Sequence, residues 1–193
     1  MPSQLVLAST SPFRRQLLEK LGLSFDTASP DIDESRREGE EPEVLVQRLA
    51  LEKAQAVSHS YPDALIIGSD QVACLDGKIL GKPGSHERAV EQLSDSSGKT
   101  VTFQTGLCLL NSATGESQVL CEPFHVHFKQ LTASQIENYL NREKPFNCAG
   151  SFKSEALGIA LFEKLEGDDP NSLIGLPLIK LINMLEEEGI QVI

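Results

Sequence analysis

Long apolar runs are missing from this sequence, and none approaches the length needed to span a membrane. The opening Met1-Pro2-Ser3 lacks the basic, then apolar, pattern of a secretory leader, so the expected location is the cytoplasm. Paired cysteines are missing too. Cys74, Cys108, Cys121 and Cys148 lie far apart, with no C-x-x-C for zinc or redox chemistry. Buried thiols are their expected state. Positive charge is scarce: 17 Lys and Arg stand against 28 Asp and Glu, a net charge of −11. A nucleic-acid polymer needs clustered cations, so that partner is excluded, whereas a small phosphorylated ligand held by a few local cations is not. Internal repeats, low-complexity linkers and breaks in composition are absent as well.

What is present is an ordinary globular composition, 40% hydrophobic and 23% charged, with length enough for a single domain over residues 1–193. The organising stretch is Ala64-Leu65-Ile66-Ile67-Gly68-Ser69-Asp70-Gln71-Val72. Four apolar residues run into a small-residue turn and then a carboxylate, the pattern of a buried strand that delivers an acid to the edge of a sheet. Gly68 and Ser69 leave room for another backbone or a ligand beside Asp70. Ligands of open α/β sheets sit at the carboxyl ends of strands, which makes Asp70 the candidate central group. An Asp that merely caps a turn is the alternative.

Taken in order, Gln4–Ala8 reads as a first strand. A helix follows, with Ser11 as N-cap, Pro12 at its first position, Leu17, Leu18 and Leu21 facing the core, and Gly22 just past its end. Arg14 and Arg15 sit in the first turn, where the helix dipole disfavours cations by about 0.3–1 kcal/mol. Either an anion at the helix N-terminus overcompensates, or both are solvated. A short strand spans residues 24–28. Asp31-Ile32-Asp33-Glu34 and the polar run Ser35–Glu41 then read as a mobile loop with a solvated face, unless Asp33 and Glu34 supply oxygen ligands to Mg²⁺. Pro42 opens a helix to about Ser58. Lys53 lies on its apolar stripe with Val46, Leu49, Ala50 and Val57, and either snorkels to the rim or reaches into a cleft.

Beyond Asp70, Asp76-Gly77 marks a hairpin and Gly81-Lys82-Pro83 sets Lys82 on a bend of fixed φ. His86–Leu93 is a short helix, and two long strands, 100–110 and 116–128, join through a loop at 111–115. His125-x-His127 puts two imidazoles on one strand face, short of the three protein ligands that zinc requires. Thr132-x-x-Gln135 is a capping box opening a helix through Leu140. Asn147–Glu155 is a small-residue loop with one lysine and one acid. A strand at Gly158–Phe162, a turn at Asp168–Asn171 and a closing helix at Leu178–Glu187 complete the chain. Hairpins mixed with helices in this order predict an α/β fold with a partly antiparallel sheet.

Arg14, Arg15, Lys53 and Lys82 as cations, with Asp33, Glu34 and Asp70 as acids, make a set suited to phosphate hydrolysis. The acids hold a divalent metal and orient water, and the cations neutralise a triphosphate. The motifs Leu7-Ala8-Ser9-x-Ser11-x-x-Arg14-Arg15-x-x-Leu18, Asp33-Glu34, Lys53-Ala54, Gly68-Ser69-Asp70 and Gly81-Lys82-Pro83 resemble those of the Maf family of nucleotide pyrophosphatases. So do Thr105-Gly106, Ala149-Gly150-Ser151-Phe152 and Gly175-Leu176-Pro177, and the likeness runs from Leu5 to about Leu185.

That resemblance implies an inosine-triphosphatase-like α/β fold, a mixed twisted sheet with flanking helices in two lobes around a deep cleft, and usually a homodimer. It implies hydrolysis of a nucleoside triphosphate to the monophosphate and pyrophosphate with a divalent cation, Mg²⁺ or Mn²⁺. Asp70 is then the proton acceptor, Glu34 and Asp70 the metal ligands, and Ser9, Arg14, Arg15, Lys53 and Lys82 the substrate-binding set. Phe13, Gln71 and Glu155 resemble the YceF-type branch, which acts on 7-methyl-GTP and often carries Trp where Phe13 stands. Methylation at N7 gives guanine a positive charge, favouring Glu155 and an aromatic face such as Phe13, the latter by about 0.5–2 kcal/mol. Gln71, with a donor and an acceptor, suits a carbonyl or amide edge. The alternatives are the dTTP/UTP or broad-range branch, which usually has Asp-Thr in place of Asp70-Gln71, and a nucleotide-binding regulator of cell division.

Overall fold

A computed structural model describes residues 4–193; the Met1-Pro2-Ser3 opening lies outside the described residues. Seven strands form one mixed sheet in the order β2-β1-β3-β5-β6-β7, with β4 on β3. They are β1 (Gln4–Ala8), β2 (Asp26–Ala28), β3 (Ala64–Leu75), β4 (Lys78–Leu80), β5 (Thr100–Asn111), β6 (Ser117–Phe128) and β7 (Phe162–Glu166). β1 pairs in parallel with β2 and β3, whereas β3–β4 and β6–β7 are antiparallel. The helices are α1 (Pro12–Glu19), α2 (Pro42–Ser58), α3 (His86–Ser96), α4 (Ala133–Glu143), α5 (Pro170–Ile174) and α6 (Leu178–Glu187). No helix among the described residues is long and apolar enough to cross a membrane.

The chain divides into two compact units, one of residues 1–71, 105–122 and 169–193, the other of 72–104 and 123–168. In the first, strand alternation sorts the core into two layers. Leu5, Leu7, Leu65, Ile67, Leu107 and Leu109 pack with Leu17 and Leu18 of α1 and Leu178, Leu181 and Leu185 of α6. Their neighbours Val6, Ala8, Ala64, Ile66, Cys108 and Leu110 pack with Ala50, Ala54 and Val57 of α2. A sheet covered on both faces needs such continuous apolar runs, which is why Leu5–Ala8 of β1 and Ala64–Ile67 of β3 carry no polar residue. In the second unit Phe103, Phe128, Phe152 and Phe162 form an edge-to-face cluster with centroids 4.9–5.4 Å apart.

Several elements differ from the sequence reading. Gly68 and Ser69 are not a turn; β3 runs straight through them and through Asp70 to Leu75. α2 crosses β3 so closely that a Cβ on Gly68 would lie 1.9 Å from the Ala50 carbonyl oxygen, and one on Gly106 would lie 2.0 Å from that of Val46. Small residues there serve helix packing. Residues 158–162 are not a strand: Leu157–Leu161 is a 3₁₀ turn with Gly158 and Leu161 buried, the three-residue repeat of that helix, and pairing with β6 begins at Phe162. α1 stops at Glu19 rather than near Gly22, while α3 and α4 run three residues beyond their expected ends. Asp168–Asn171 contains the start of α5, capped by Asp169. None of the four cysteines forms a disulfide, and burial pushes the Cys108 thiol up to about 12.

Candidate active site

Strand alternation also builds the site. Ala64 and Ile66 face α2, so two and four residues on Gly68 and Asp70 do as well. Leu65 and Ile67 face the other layer, and Ser69 and Gln71 follow them. Asp70 Oδ1 accepts from Lys53 Nζ of α2 at 2.7 Å. On the opposite face Ser69 Oγ lies 2.8 Å from the Gly106 carbonyl oxygen and 3.0 Å from that of Gly175. Gln71 Nε2 donates to Thr105 Oγ1 at 2.9 Å and to the Ser172 and Leu173 carbonyls at 2.7 and 3.2 Å. Two backbone carbonyls require the amide nitrogen there, so the donor half of Gln71 is committed and its carbonyl oxygen is the part left for a ligand.

Lys53 turns inward and is only 5% exposed. Its Nζ also meets Glu34 Oε1 at 2.8 Å, so one ammonium joins Asp70 to the acidic segment before α2. A buried lysine persists only when paired, and this one is paired twice. Of the two acids before α2, Glu34 reaches the group. Asp33 Oδ1 instead accepts from the Ser35 N–H at 2.9 Å, and these local hydrogen bonds hold its pKa below the usual carboxylate value.

Arg14 joins from α1. Ser11 caps the helix by accepting from the Arg14 N–H at 3.4 Å, and Arg14 Nε donates to the Gly175 carbonyl at 2.8 Å. Burial lowers the guanidinium pKa, opposed by the charges of Asp70 and Glu34. Arg15 goes elsewhere: it is exposed and pairs with Glu19 at 3.0 Å, because adjacent helical residues do not share a face. Ser9 is buried at the end of β1, its Oγ accepting from the Ser11 N–H at 3.1 Å, and Phe13 is exposed in the first turn of α1.

The second unit holds Lys82 and Glu155, both exposed. Glu155 Oε2 accepts from Ser154 Oγ at 3.3 Å. Burial raises the Cys148 thiol, whose further electrostatic neighbours are Lys153, Glu155, Lys82 and Glu143. Lys153, in the sequence only the one cation of a small-residue loop, donates through Nζ to the Glu143 carbonyl at 3.5 Å. His125 and His127 are engaged by Thr102, Thr100 and Glu166. Among the described residues no group of three or more His, Cys, Asp or Glu is placed to hold a metal. Glu34 and Asp70, both within 2.8 Å of one nitrogen, offer the one or two carboxylates that Mg²⁺ uses when substrate phosphates complete its shell. The donor set therefore fits such an ion.

Sequence reasoning missed the charges beneath Glu34. The run 35–41 is not wholly a solvated face: Glu40 is buried and paired with Arg48 at 2.6 Å, because the loop folds back on α2. Its signal was an arginine five residues before Lys53 on the same helix.

The Maf-like protein family matches residues 4–188. The chain belongs to the Maf family. It is 63% identical over 187 residues to a protein of Alcanivorax borkumensis named 7-methyl-GTP pyrophosphatase, covering 97% of this chain and 95% of that one. Proteins of the same name from Colwellia psychrerythraea and Pseudomonas aeruginosa are 60% and 59% identical, covering 98% and 97% of this chain and 94% and 98% of theirs. Among solved structures the chain is similar to the Staphylococcus aureus Ham1 protein, with TM-score 0.48 and 16% identity over 66% of this chain and 73% of that one. This Maf chain, then, groups Arg14, Glu34, Lys53 and Asp70 in its first unit, while Lys82 and Glu155 belong to its second.

Proposed function

We propose that this Maf protein is a nucleotide pyrophosphatase that hydrolyses 7-methyl-GTP to 7-methyl-GMP and pyrophosphate. Near-full-length identity of 59–63% to proteins of that name supports the reading. The observation that carries the chemistry is Lys53, buried and held between Asp70 and Glu34. Binding a polyphosphate needs only cations. The carboxylates on the same ammonium supply what attack by water requires, an acceptor for its proton.

Asp70 takes the proton as the water oxygen bonds to the α-phosphorus; the bond to the bridging oxygen breaks and pyrophosphate leaves. Lys53 and Arg14, with Arg15 as a weaker candidate, neutralise the phosphate oxygens, and Ser9 offers a hydroxyl donor; the family resemblance adds Lys82 to the set. Glu34 and Asp70 would hold a divalent cation, Mg²⁺ or Mn²⁺, which supplies Lewis-acid polarisation of the phosphate and a more acidic water. For the base, the Gln71 carbonyl oxygen accepts from a guanine N–H and Phe13 offers an exposed ring to the cationic purine; the family resemblance adds Glu155 as a carboxylate acceptor. A cytoplasmic homodimer belongs to the same proposal, supported by the family resemblance.

The test is product identity. The wild-type protein should release pyrophosphate and the monophosphate in equal amounts, and Asp70→Asn should lower kcat by roughly 10²–10⁴-fold with nucleotide still bound. Release of orthophosphate, or full turnover in Asp70→Asn, would reject the reading.

A further inference from the structure

Glu34 reaches Lys53 from residues 31–41, a segment without helix or strand. Something other than regular structure fixes it there. Arg48 of α2 donates through Nε to Glu40 Oε1 at 2.6 Å and through Nη2 to Glu40 Oε2 at 2.8 Å, a two-pronged pair. The same Nη2 donates to the Ser35 carbonyl at 3.0 Å, and Nη1 to Glu52 Oε2 at 2.9 Å. Arg36 Nε donates to the Glu40 carbonyl at 2.7 Å, and the Arg37 N–H to Glu40 Oε2 at 3.0 Å. Arg37 Nη2 closes the set on Glu52 Oε1 at 3.0 Å.

One guanidinium therefore holds both ends of residues 35–40, and Glu34 is the residue immediately before that closed segment. The Arg48 and Glu40 side chains are 12% and 5% exposed, so the pair is shielded from water that would loosen it. We propose that Arg48 is a positioning residue: by fixing the Ser35 carbonyl it sets Glu34 against Lys53, touching neither Asp70 nor substrate itself. α2 then carries both the cation of the site, Lys53, and the clamp that presents the second carboxylate to it. The planar fork is needed because four acceptor oxygens lie around it in one arrangement, which a lysine ammonium cannot match. This inference rests on the role given to Glu34 above.

Two measurements test it together. The first is amide hydrogen exchange of residues 33–40 in the unliganded protein. Arg48→Met should speed it roughly tenfold or more while β1 and β5 stay protected. The second is a double-mutant cycle on kcat with 7-methyl-GTP. Arg48→Met alone should lose roughly 10–100-fold, the range seen for residues that orient a ligating group, and should add less than about twofold in a Glu34→Gln background. Arg48→Lys should show the same coupling, and Glu40→Gln, which leaves Arg48 charged, gives the same readings where Arg48→Met fails to fold. Unchanged exchange at 33–40, or a loss that adds in full to that of Glu34→Gln, overturns the inference. A Glu34→Gln enzyme of undiminished turnover contradicts the role of Glu34 itself, and with it this inference, while leaving Asp70 as the test of the hydrolysis.

Discussion

Lys53 has almost no access to water and two carboxylates on its nitrogen, and both follow from its place on the apolar stripe of α2. Lys53→Met leaves Asp70 and Glu34 near each other with no cation between them. Breaking a buried pair this way costs about 3–5 kcal/mol, to be read from urea denaturation. Asp70→Asn should cost less, because Lys53 keeps Glu34 as partner. Equal losses would mean that Glu34 contributes nothing to the pair. Glu40 provides the pH dependence: Arg48 holds its carboxyl at about 2, below the ordinary 4.5. A depressed folded-state pKa contributes stability that is complete above the unfolded value and lost as pH falls through the folded one. The Tm difference between wild type and Glu40→Gln should therefore shrink as pH falls from about 4.5 toward about 2, the interval between those two values. A constant difference would contradict the ion pair. At this scale the sequence made Lys53 legible as a lysine in an apolar stripe and Asp70 as an acid after an apolar run, while it offered Asp33 and Glu34 alike. It did not show that Gln71 spends its amide nitrogen on Ser172 and Leu173, since those partners lie 101 and 102 residues away.

At the scale of elements, α2 and β3 form the frame of the site. Gly68 was legible as a place where something approaches closely, but not as mid-strand. A small residue before an acid reads the same whether it opens a turn or admits a helix. What distinguishes the two is Ala50, whose carbonyl oxygen lies 1.9 Å from where a Cβ would stand. Gly68→Ala must push α2 outward, and α2 carries Lys53. The expected result is a loss of about 1–3 kcal/mol in stability together with a fall in kcat, since Lys53 moves from Asp70. Unaltered kcat in a destabilised protein would show that the helix position does not set the site. The 3₁₀ turn at Leu157–Leu161 was hidden for a related reason: an apolar run of five residues suits a strand or a tight turn equally, and only the burial of Gly158 and Leu161 decides.

Across the whole molecule, the parts fixed by local chemistry were the most legible. The bounds of β1 and the span of α2, opened by Pro42, are as expected, and the capping box of α4 forms. Which acids meet which cations depends on topology, and β1, β3 and β5 come from distant parts of the chain. The motifs nonetheless span both units, as the family match over residues 4–188 does. The second unit depends on its phenylalanine cluster. Phe152→Ala, which removes three ring contacts, should cost about 3–5 kcal/mol in urea denaturation, and a cost near zero would mean that the cluster is not its core. What the whole molecule is built to do is one reaction on one base. The most direct test is pyrophosphate release by the wild-type protein with Mg²⁺ or Mn²⁺ from 7-methyl-GTP, GTP, dTTP, UTP and CTP. Release from 7-methyl-GTP well above the rest is expected, and preference for dTTP and UTP, or no release from any of the five, would contradict hydrolysis of 7-methyl-GTP by this site.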